Sequence, residues 1–190
     1  MQTKQALRKI YLANRKTIDR HEQLRLLAAM YDFIAEVPAL PARLGMSYRA
    51  IAQNHEVPTD IFEEYLLENW KASQFCYPKV EFGTNNMEAY LNDRHLEWED
   101  AAFKLTQPAT GTIADPTTID VVLVPLLAFD EQGYRLGYGK GFYDRFLTRC
   151  RPDTIKIGLS WFPPENRLPE IDVFDIPLNY CVTPQQLYVF

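Results

Sequence analysis

Residues 119–124, IDVVLV, are nearly continuous in apolar character, and most of them are β-branched. This composition is typical of a strand that is covered on both faces of a sheet. A turn-rich stretch follows, then a helical pattern from Phe142 to about Arg149, and then a strand pattern from Ile155 to Ser160. A strand, a helix and a strand in that order predict a parallel βαβ unit. We therefore expect an α/β fold with a mostly parallel central sheet and helices on both faces.

Helical and strand patterns also occur in the first half of the chain. Thr3 is a residue type that caps helices, and the apolar positions after it recur at helical spacing. The patterns predict three helices, over 4–17, 21–36 and about 60–72, and two strands, over 47–53 and 74–80. Residues 81–118 show no clear periodicity and are expected to be irregular. With no repeat or break in composition, residues 1–190 are expected to form a single domain.

The overall composition is that of a globular protein. Of the 190 residues, 47% are apolar and 24% are charged, which is enough to build a core. The longest apolar run, residues 121–129, contains a proline and is too short to cross a membrane. Three widely spaced cysteines, none of them in a CxxC pair, fit a reducing compartment. The sequence therefore predicts a soluble, cytoplasmic protein.

The net charge of −5 conceals two short basic segments. Residues 1–25 carry seven basic and two acidic side chains, and residues 131–151 carry five basic and two acidic ones. If the two segments meet in the fold, they form a compact anion site. Such a site suits a small polyphosphate better than a nucleic-acid groove, because the rest of the chain is acidic. We therefore expect small-molecule partners, with no nucleic acid and no membrane.

Three alternating glycines mark the segment from Asp130 to Arg145, DEQGYRLGYGKGFYDR, between a strand and a helix. Glycine lets successive backbone N–H groups point into one concavity, and the following helix adds its positive end. Arg135 and Lys140 supply full charges beside these dipoles. The spacing matches neither the Walker A motif nor the dinucleotide fingerprint. It predicts a glycine-rich phosphate loop, and the alternative is a strand-to-helix turn without a ligand.

The residues around this loop resemble a known family. The runs PLLAFD, residues 125–130, and RLGYGKGFYDR, residues 135–145, closely resemble the 5-formyltetrahydrofolate cyclo-ligase family, also called the 5,10-methenyltetrahydrofolate synthetases. Further similar segments lie at residues 4–8, 54–59, 75–79 and 169–175. The resemblance therefore spans nearly the whole chain, and the glycine-loop motif is its most specific part.

The resemblance implies an ATP-dependent, carbon–nitrogen bond-forming ligase of folate and one-carbon metabolism. In such a reaction the formyl oxygen of 5-formyltetrahydrofolate attacks the γ-phosphate of MgATP. N10 then attacks the phosphorylated formyl carbon, and phosphate leaves to give 5,10-methenyltetrahydrofolate. Mg²⁺ is the implied cofactor, and ATP and 5-formyltetrahydrofolate are the implied substrates. The sequence does not fix the oligomeric state, and a monomer is the expectation.

The resemblance also implies roles for particular residues. The implied catalytic residues are Arg135 and Lys140. The implied ATP-binding residues are Lys4, Arg8, Arg135, Gly137, Gly139, Lys140, Gly141, Phe142 and Tyr143. The implied substrate-binding residues are Ile51, Glu56 and Tyr138, with Glu56 expected at the end of a strand. The implied metal ligands are Asp144 and a second carboxylate, either Glu170 or Asp172.

Two other functions remain open on the sequence. One is a catalytically silent module of the same fold that binds a nucleotide or a folate. The other is a phosphoryl-transfer enzyme that acts on another N-formyl or carboxylate substrate. Leu126 and Phe103 would permit the latter, because they stand where the family usually has Gly and Trp. Leu126 is expected to narrow the floor of the pocket. As structural alternatives, Asp144 suits a first helical turn and Ile51 suits a core.

Overall fold

This computed structural model describes residues 3–39 and 41–190 of the chain. These residues contain four α-helices and twelve β-strands. The helices are α1 (Lys4–Lys16), α2 (Arg20–Ile34), α3 (Asp60–Asn69) and α4 (Phe142–Leu147). The strands are β1 (Leu44–Met46), β2 (Gln74–Glu81), β3 (Asn86–Leu91), β4 (Glu97–Asp100), β5 (Thr106–Thr110), β6 (Ile113–Ala114), β7 (Val121–Pro125), β8 (Ala128–Phe129), β9 (Arg135–Leu136), β10 (Ile155–Leu159), β11 (Tyr180–Val182) and β12 (Leu187–Val189). None of the helices in these ranges is long and apolar enough to cross a membrane.

Eight strands form one central sheet, in the order β12-β11-β10-β7-β1-β2-β3-β6. The five strands from β11 to β2 run parallel, and antiparallel strands close both edges. Strands β7 and β10 are parallel neighbours, with Leu123 opposite Ile157, and α4 lies between them along the chain. The predicted βαβ unit and the α/β class with a mostly parallel central sheet are therefore confirmed.

The side chains of β7 explain why helices lie on both faces of the sheet. Val121 and Leu123 belong to the buried cluster that includes residues of α2 and α3, whereas Val122 and Val124 belong to the cluster that includes Phe146 of α4. These four residues of β7 are at most 1% exposed. Successive side chains of a strand point to opposite faces, so a continuous apolar strand needs cover on both.

Helix α1 packs against a separate two-stranded hairpin formed by β8 and β9. Thr3 caps this helix as predicted, and its hydroxyl accepts a hydrogen bond from the N–H of Ala6 at 3.2 Å. Leu7 and Tyr11 of α1 share a buried cluster with Leu136 of β9. The cluster holds α1 beside the glycine-containing segment that follows β9.

The prediction of a strand over residues 47–53 is wrong. Strand β1 ends at Met46, and Ala52–Asn54 form a 3-10 turn. Tyr48 is buried, and its hydroxyl donates to the backbone carbonyl of Val57 at 3.0 Å. This tertiary contact prevails over the strand propensity of the segment.

The prediction that residues 81–118 are irregular is also wrong, because strands β3 to β6 lie there. Strand β3 pairs with β2 and buries Met87 and Ala89 at alternate positions. Strands β4 and β5 form a short hairpin that contains several charged and polar side chains. Pairing with partner strands, which a local pattern does not reveal, defines these elements.

Candidate functional site

A cleft of about 560 Å³ opens where β1, β2 and β7 end. Ligands of open α/β sheets bind at this edge, beyond the carboxyl ends of the parallel strands. One group of lining side chains is basic and comprises Lys4, Arg8, Arg49, Arg135 and Lys140. A second group is aromatic and includes Tyr77, Phe82, Trp98, Phe103 and Phe142. The cleft therefore offers both charge for an anion and flat apolar surface for a ring.

The loop between β9 and α4, residues 137–141, forms one wall of the cleft. Gly139 and Gly141 have φ angles of +91° and +66°, a region that other residues rarely adopt. Nε of Arg8 donates to the carbonyl of Gly137 at 2.9 Å. A methyl group on Gly139 would lie only 2.9 Å from Cζ of Arg8. The two basic segments of the sequence therefore meet here, with α1 packed directly on the glycine loop.

Two ion pairs join separate parts of the chain at this end of the cleft. Nζ of Lys4 lies 3.1 Å from Oδ2 of Asp175. Nη2 of Arg135 donates to Oδ1 of Asp144 at 2.7 Å, and its Nη1 donates to the carbonyl of Ile176. Burial lowers the pKa of the Arg135 guanidinium, while the Asp144 carboxylate acts in the opposite direction. The pairs tie α1, the glycine loop and the segment before β11 together.

Three more predicted nucleotide-binding residues lie in the same wall. Lys140 is exposed in the loop. Phe142 begins α4 and meets Phe82 edge-on, with ring centroids 5.8 Å apart. Burial raises the pKa of Tyr143, and its buried hydroxyl has no hydrogen-bond partner within the described part of the chain. A buried hydroxyl without a protein partner is available to a bound ligand.

Glu56 is a buried carboxylate in the cleft, with 6% of the residue exposed. The N–H of Ile51 donates to its Oε2 at 2.7 Å, and the hydroxyl of Tyr138 donates to its Oε1 at 2.5 Å. Burial raises the pKa of Glu56, whereas these hydrogen bonds and the charge of Arg15 act against that rise. The structure thus brings the three predicted substrate-binding residues together. Glu56 does not end a strand, however, since it follows the 3-10 turn of residues 52–54.

Arg15 is one of the seven basic residues in the N-terminal basic segment, and the sequence analysis gave it no individual role. It is 2% exposed, and its Nη2 donates to the carbonyl of Leu126. Its Nε and Nη1 have no hydrogen-bond partner among residues 3–39 and 41–190. The available signal was periodicity, because position 15 follows the buried Leu7 and Tyr11 at four-residue steps. The result is a buried cation near Glu56.

The predicted metal ligands do not lie together. Asp144 lines the cleft, whereas Glu170 and Asp172 are exposed and do not line it. Oδ1 of Asp172 instead accepts the N–H of Phe174 at 3.0 Å. Besides Asp144, the acidic residue that lines the cleft beside Lys4 and Arg135 is Asp175, three positions after Asp172. Asp175 ends the segment 169–175 that resembles the family, but the sequence analysis gave it no role.

The two residues that depart from the family pattern lie in different places. Leu126 is buried and does not line the cleft, so the expectation that it narrows the floor is wrong. Its side chain packs against Gly158 of β10, where a methyl group would come within 2.6 Å of it. Phe103 is 70% exposed at the rim, with its ring centroid 5.4 Å from that of Phe82.

A mostly parallel sheet with a basic glycine loop and an aromatic pocket in one cleft is typical of an α/β protein that binds small molecules. A sequence profile of the 5-formyltetrahydrofolate cyclo-ligase family matches residues 1–161. The chain belongs to this family, and it is a cyclo-ligase enzyme by that membership.

Individual relatives agree with this assignment. The 5-formyltetrahydrofolate cyclo-ligase of Escherichia coli K12 is 42% identical over 156 residues, which cover 75% of this chain and 85% of the relative. An NMR structure of 5,10-methenyltetrahydrofolate synthetase from Aquifex aeolicus is 30% identical, with a TM-score of 0.74 and coverage of 98% of this chain and 92% of that one. The Mycoplasma pneumoniae synthetase structure is 27% identical, with a TM-score of 0.74 and coverage of 95% and 98%.

Proposed function

We propose that this protein converts 5-formyltetrahydrofolate and ATP into 5,10-methenyltetrahydrofolate, ADP and phosphate. One observation carries the proposal: a single cleft holds both the glycine loop interlocked with Arg8 and the buried Glu56–Tyr138 pair. The first arrangement suits a polyphosphate, and the second suits the donor edge of a pterin ring. Two reactants bound side by side react as if the step were intramolecular.

The basic end of the cleft would bind the triphosphate of ATP. Phosphoryl transfer asks mainly for positioning and for neutralisation of charge. Lys4, Arg8 and Lys140 supply that charge, and the N–H groups of residues 137–141 add donors. Arg135, fixed by two hydrogen bonds, supports the charge that develops on the transferred phosphoryl group. These residues would therefore perform binding and transition-state stabilisation together.

Asp144 and Asp175 would hold Mg²⁺ with the nucleotide. Mg²⁺ is commonly bound through one or two carboxylates together with phosphate oxygens, and this donor set fits that pattern. Both hydrogen bonds to the carboxylate of Asp144 within the described residues fall on Oδ1, which leaves Oδ2 for a cation. The ion would neutralise phosphate charge.

The other half of the cleft would bind the folate. The pterin ring carries N–H and NH₂ donors on one edge, and a carboxylate is the side chain that pairs with such an edge. Glu56 offers that carboxylate, with Tyr138 and Ile51 holding it in place. Tyr77, Trp98 and other aromatic lining residues provide flat contact surface for the fused rings.

The proposed reaction has two steps. The formyl oxygen attacks the γ-phosphorus, the bond to the β-phosphate oxygen breaks, and ADP leaves. N10 then attacks the activated formyl carbon, loses its proton, and inorganic phosphate leaves with the carbon–oxygen bonding pair. The product is 5,10-methenyltetrahydrofolate, in which the former formyl carbon bridges N5 and N10. The formyl oxygen leaves in the phosphate, and cleavage of the phosphoanhydride bond of ATP drives this step.

The direct test is the near-ultraviolet absorbance of purified protein with 5-formyltetrahydrofolate, ATP and Mg²⁺. The conjugated methenyl product absorbs where the substrate does not. The proposal expects a rise in absorbance that needs all three components, with one phosphate released per product. A flat trace from folded protein would contradict the proposed activity and favour a catalytically silent binding module, which ATP and folate titrations would identify.

A further inference from the structure

Arg145 holds the end of the glycine loop that leads into α4. Its Nη2 donates to the backbone carbonyl of Lys140 at 2.5 Å, and its Nε donates to the backbone carbonyl of Asn85 at 3.1 Å. Asn85 lies in the turn between β2 and β3, two strands of the central sheet. One guanidinium therefore ties the last part of the loop to a turn of that sheet.

The glycines on both sides of Lys140 make room for arginine side chains. A β-carbon on Gly141 would lie 2.9 Å from Nη1 of Arg145, and one on Gly139 would lie 2.9 Å from Cζ of Arg8. Both distances are shorter than real β-carbon contacts, so a larger residue would displace either arginine. The loop segment that carries Lys140 is thus flanked by two guanidinium groups.

The two arginines differ in their relation to the cleft. Arg8 lines it, whereas Arg145 is exposed and, within the described chain, does not line it. Arg145 can therefore influence a bound phosphate only through the loop. The peptide carbonyl that it holds belongs to Lys140, whose side chain lines the cleft. This hydrogen bond fixes the backbone from which the Lys140 side chain extends.

Aromatic contacts support the same end of the loop. The ring centroid of Phe142 lies 5.9 Å from Cζ of Arg145. The same ring meets that of Phe82, which lies in the β2–β3 turn together with Asn85. The start of α4 is therefore held to this turn by a hydrogen bond and by a ring contact.

We propose that Arg145 is a positioning residue that orients Lys140 toward the triphosphate of ATP. This inference rests on the proposed function. The ammonium of lysine is a point charge on a flexible stem, and a side chain that is oriented before binding loses less conformational freedom when the ligand arrives. Arg145 would thus raise the affinity for ATP without touching the nucleotide.

The test measures KM for ATP and for 5-formyltetrahydrofolate in the absorbance assay. Arg145→Gln should raise KM for ATP by about 3- to 10-fold, the range that one lost hydrogen bond produces. Its kcat and its KM for the folate should stay within about twofold of the wild type. Arg145→Lys should fall between, because it keeps the charge but loses the fork that reaches two carbonyls.

Arg149→Gln is the matched control. Arg149 is also an exposed arginine that donates to a backbone carbonyl of the β2–β3 hairpin, but its bonds go to Met87 and Glu88 instead of the loop. Its substitution removes the same charge and should leave KM for ATP within about twofold of the wild type.

A double substitution shows whether Arg145 acts through Lys140. In a Lys140→Met protein, the addition of Arg145→Gln should change KM for ATP by less than about twofold, because the lysine that it would position is gone. A several-fold rise in both backgrounds would overturn the inference. An Arg145→Gln protein with an unchanged KM for ATP would also overturn it, as would an Arg145→Lys protein that equals the wild type, since charge alone would then suffice.

Failure of the proposed function would give a different result. A wild type that binds MgATP but turns over no folate would contradict the proposed function, and calorimetric titration of the same variants with MgATP would then test Arg145 by the Kd. A wild type that binds no MgATP would overturn both.

Discussion

The guanidinium of Arg8 lies against the backbone of Gly139. Cζ of Arg8 is 2.9 Å from the position that a β-carbon of Gly139 would occupy, and Nε of the same side chain bonds the carbonyl of Gly137. The loop and α1 therefore depend on each other. The loop can adopt its left-handed turn only with glycine, and the helix can approach it only because no side chain intervenes.

Gly139→Ala should displace Arg8 and strain the loop, since φ is +91° at this position. We expect KM for ATP to rise by roughly tenfold or more, with a loss of stability of about 1 to 3 kcal/mol. Gly137→Ala is the matched control, because a β-carbon there meets no atom within 4 Å. Steady-state kinetics and thermal melts measure both effects. Equal behaviour of the two variants would show that the contact with Arg8 does not matter.

Glu56→Gln should impair folate use far more than ATP use. The amide keeps an acceptor for Ile51 but removes the negative charge that the pterin edge would meet. We expect kcat/KM for the folate to fall by about 10- to 100-fold and KM for ATP to change less than twofold. A defect confined to ATP would refute the assignment of Glu56 to the folate half.

The same variant should gain stability at neutral pH. Burial raises the pKa of Glu56 in the folded protein above its ordinary value of 4.5. The raised pKa of Glu56 therefore contributes fully to the free energy of unfolding below about pH 4.5. This contribution is lost as the pH rises through the pKa that Glu56 has in the folded protein. Glu56→Gln should therefore have a higher melting temperature than the wild type at pH 7, and this advantage should vanish in acid. An advantage that persists unchanged at low pH would contradict this explanation.

Arg135→Ala should weaken both the nucleotide site and the fold. The substitution removes a largely buried guanidinium, and it leaves the partly exposed Asp144 carboxylate without its partner and the carbonyl of Ile176 without its donor. We expect a loss of about 1 to 3 kcal/mol in stability and a large rise in KM for ATP. Arg135→Lys, which keeps the charge, separates the two effects. An unchanged apparent affinity for ATP in the alanine variant would remove Arg135 from the site.

Asp175→Asn should raise the Mg²⁺ concentration needed for half-maximal activity by roughly tenfold. Asp175 lines the cleft beside Lys4, whereas Asp172, three positions earlier, is exposed outside it. Asp172→Asn is therefore the control and should leave the Mg²⁺ titration unchanged. The reverse result would assign the second metal carboxylate to Asp172, one of the two alternatives, with Glu170, that the sequence left open.

Arg15→Met should shift the pH dependence of folate use. The buried cation lowers the pKa of Glu56, so its removal should raise that pKa further. Protonation of Glu56 would then begin at higher pH, and the acidic limb of kcat/KM for the folate should move upward. Lys16→Met, at the exposed neighbouring position of α1, should leave the profile in place.

The sequence was sufficient for the parts of the fold that depend on local pattern. The apolar run of β7, the glycine loop and α4 predicted the central βαβ unit, because each has a hydrophobic pattern or a residue composition typical of its structure. Strands β3 to β6 carry no such pattern. They are short and partly polar, and their pairing to distant strands decides their conformation.

The candidate site divides in the same way. The clustering of basic residues and the spacing of the glycines predicted an anion site near Arg8 and the glycine loop, since residue types alone indicate that chemistry. The sequence did not predict which acidic residue after Pro169 lines the cleft. That placement depends on the path of a turn in which Glu170 has a φ of +55°. The packing of Arg49 was also not predicted, since only the fold brings its guanidinium against the rings of both Tyr77 and Trp98.

The ion pair between Lys4 and Asp175 joins residues that are 171 positions apart. A ribosome must therefore synthesise residues 4 to 175 before this contact can form, and an emerging polypeptide that stops short of residue 175 lacks the ion pair that joins α1 to the segment before β11. Domains largely fold as units during synthesis, and distant contacts of this kind form last. Catalytic competence in this protein should accordingly appear only after residue 175 has been synthesised, which makes enzyme activity a reporter of chains that extend beyond this residue.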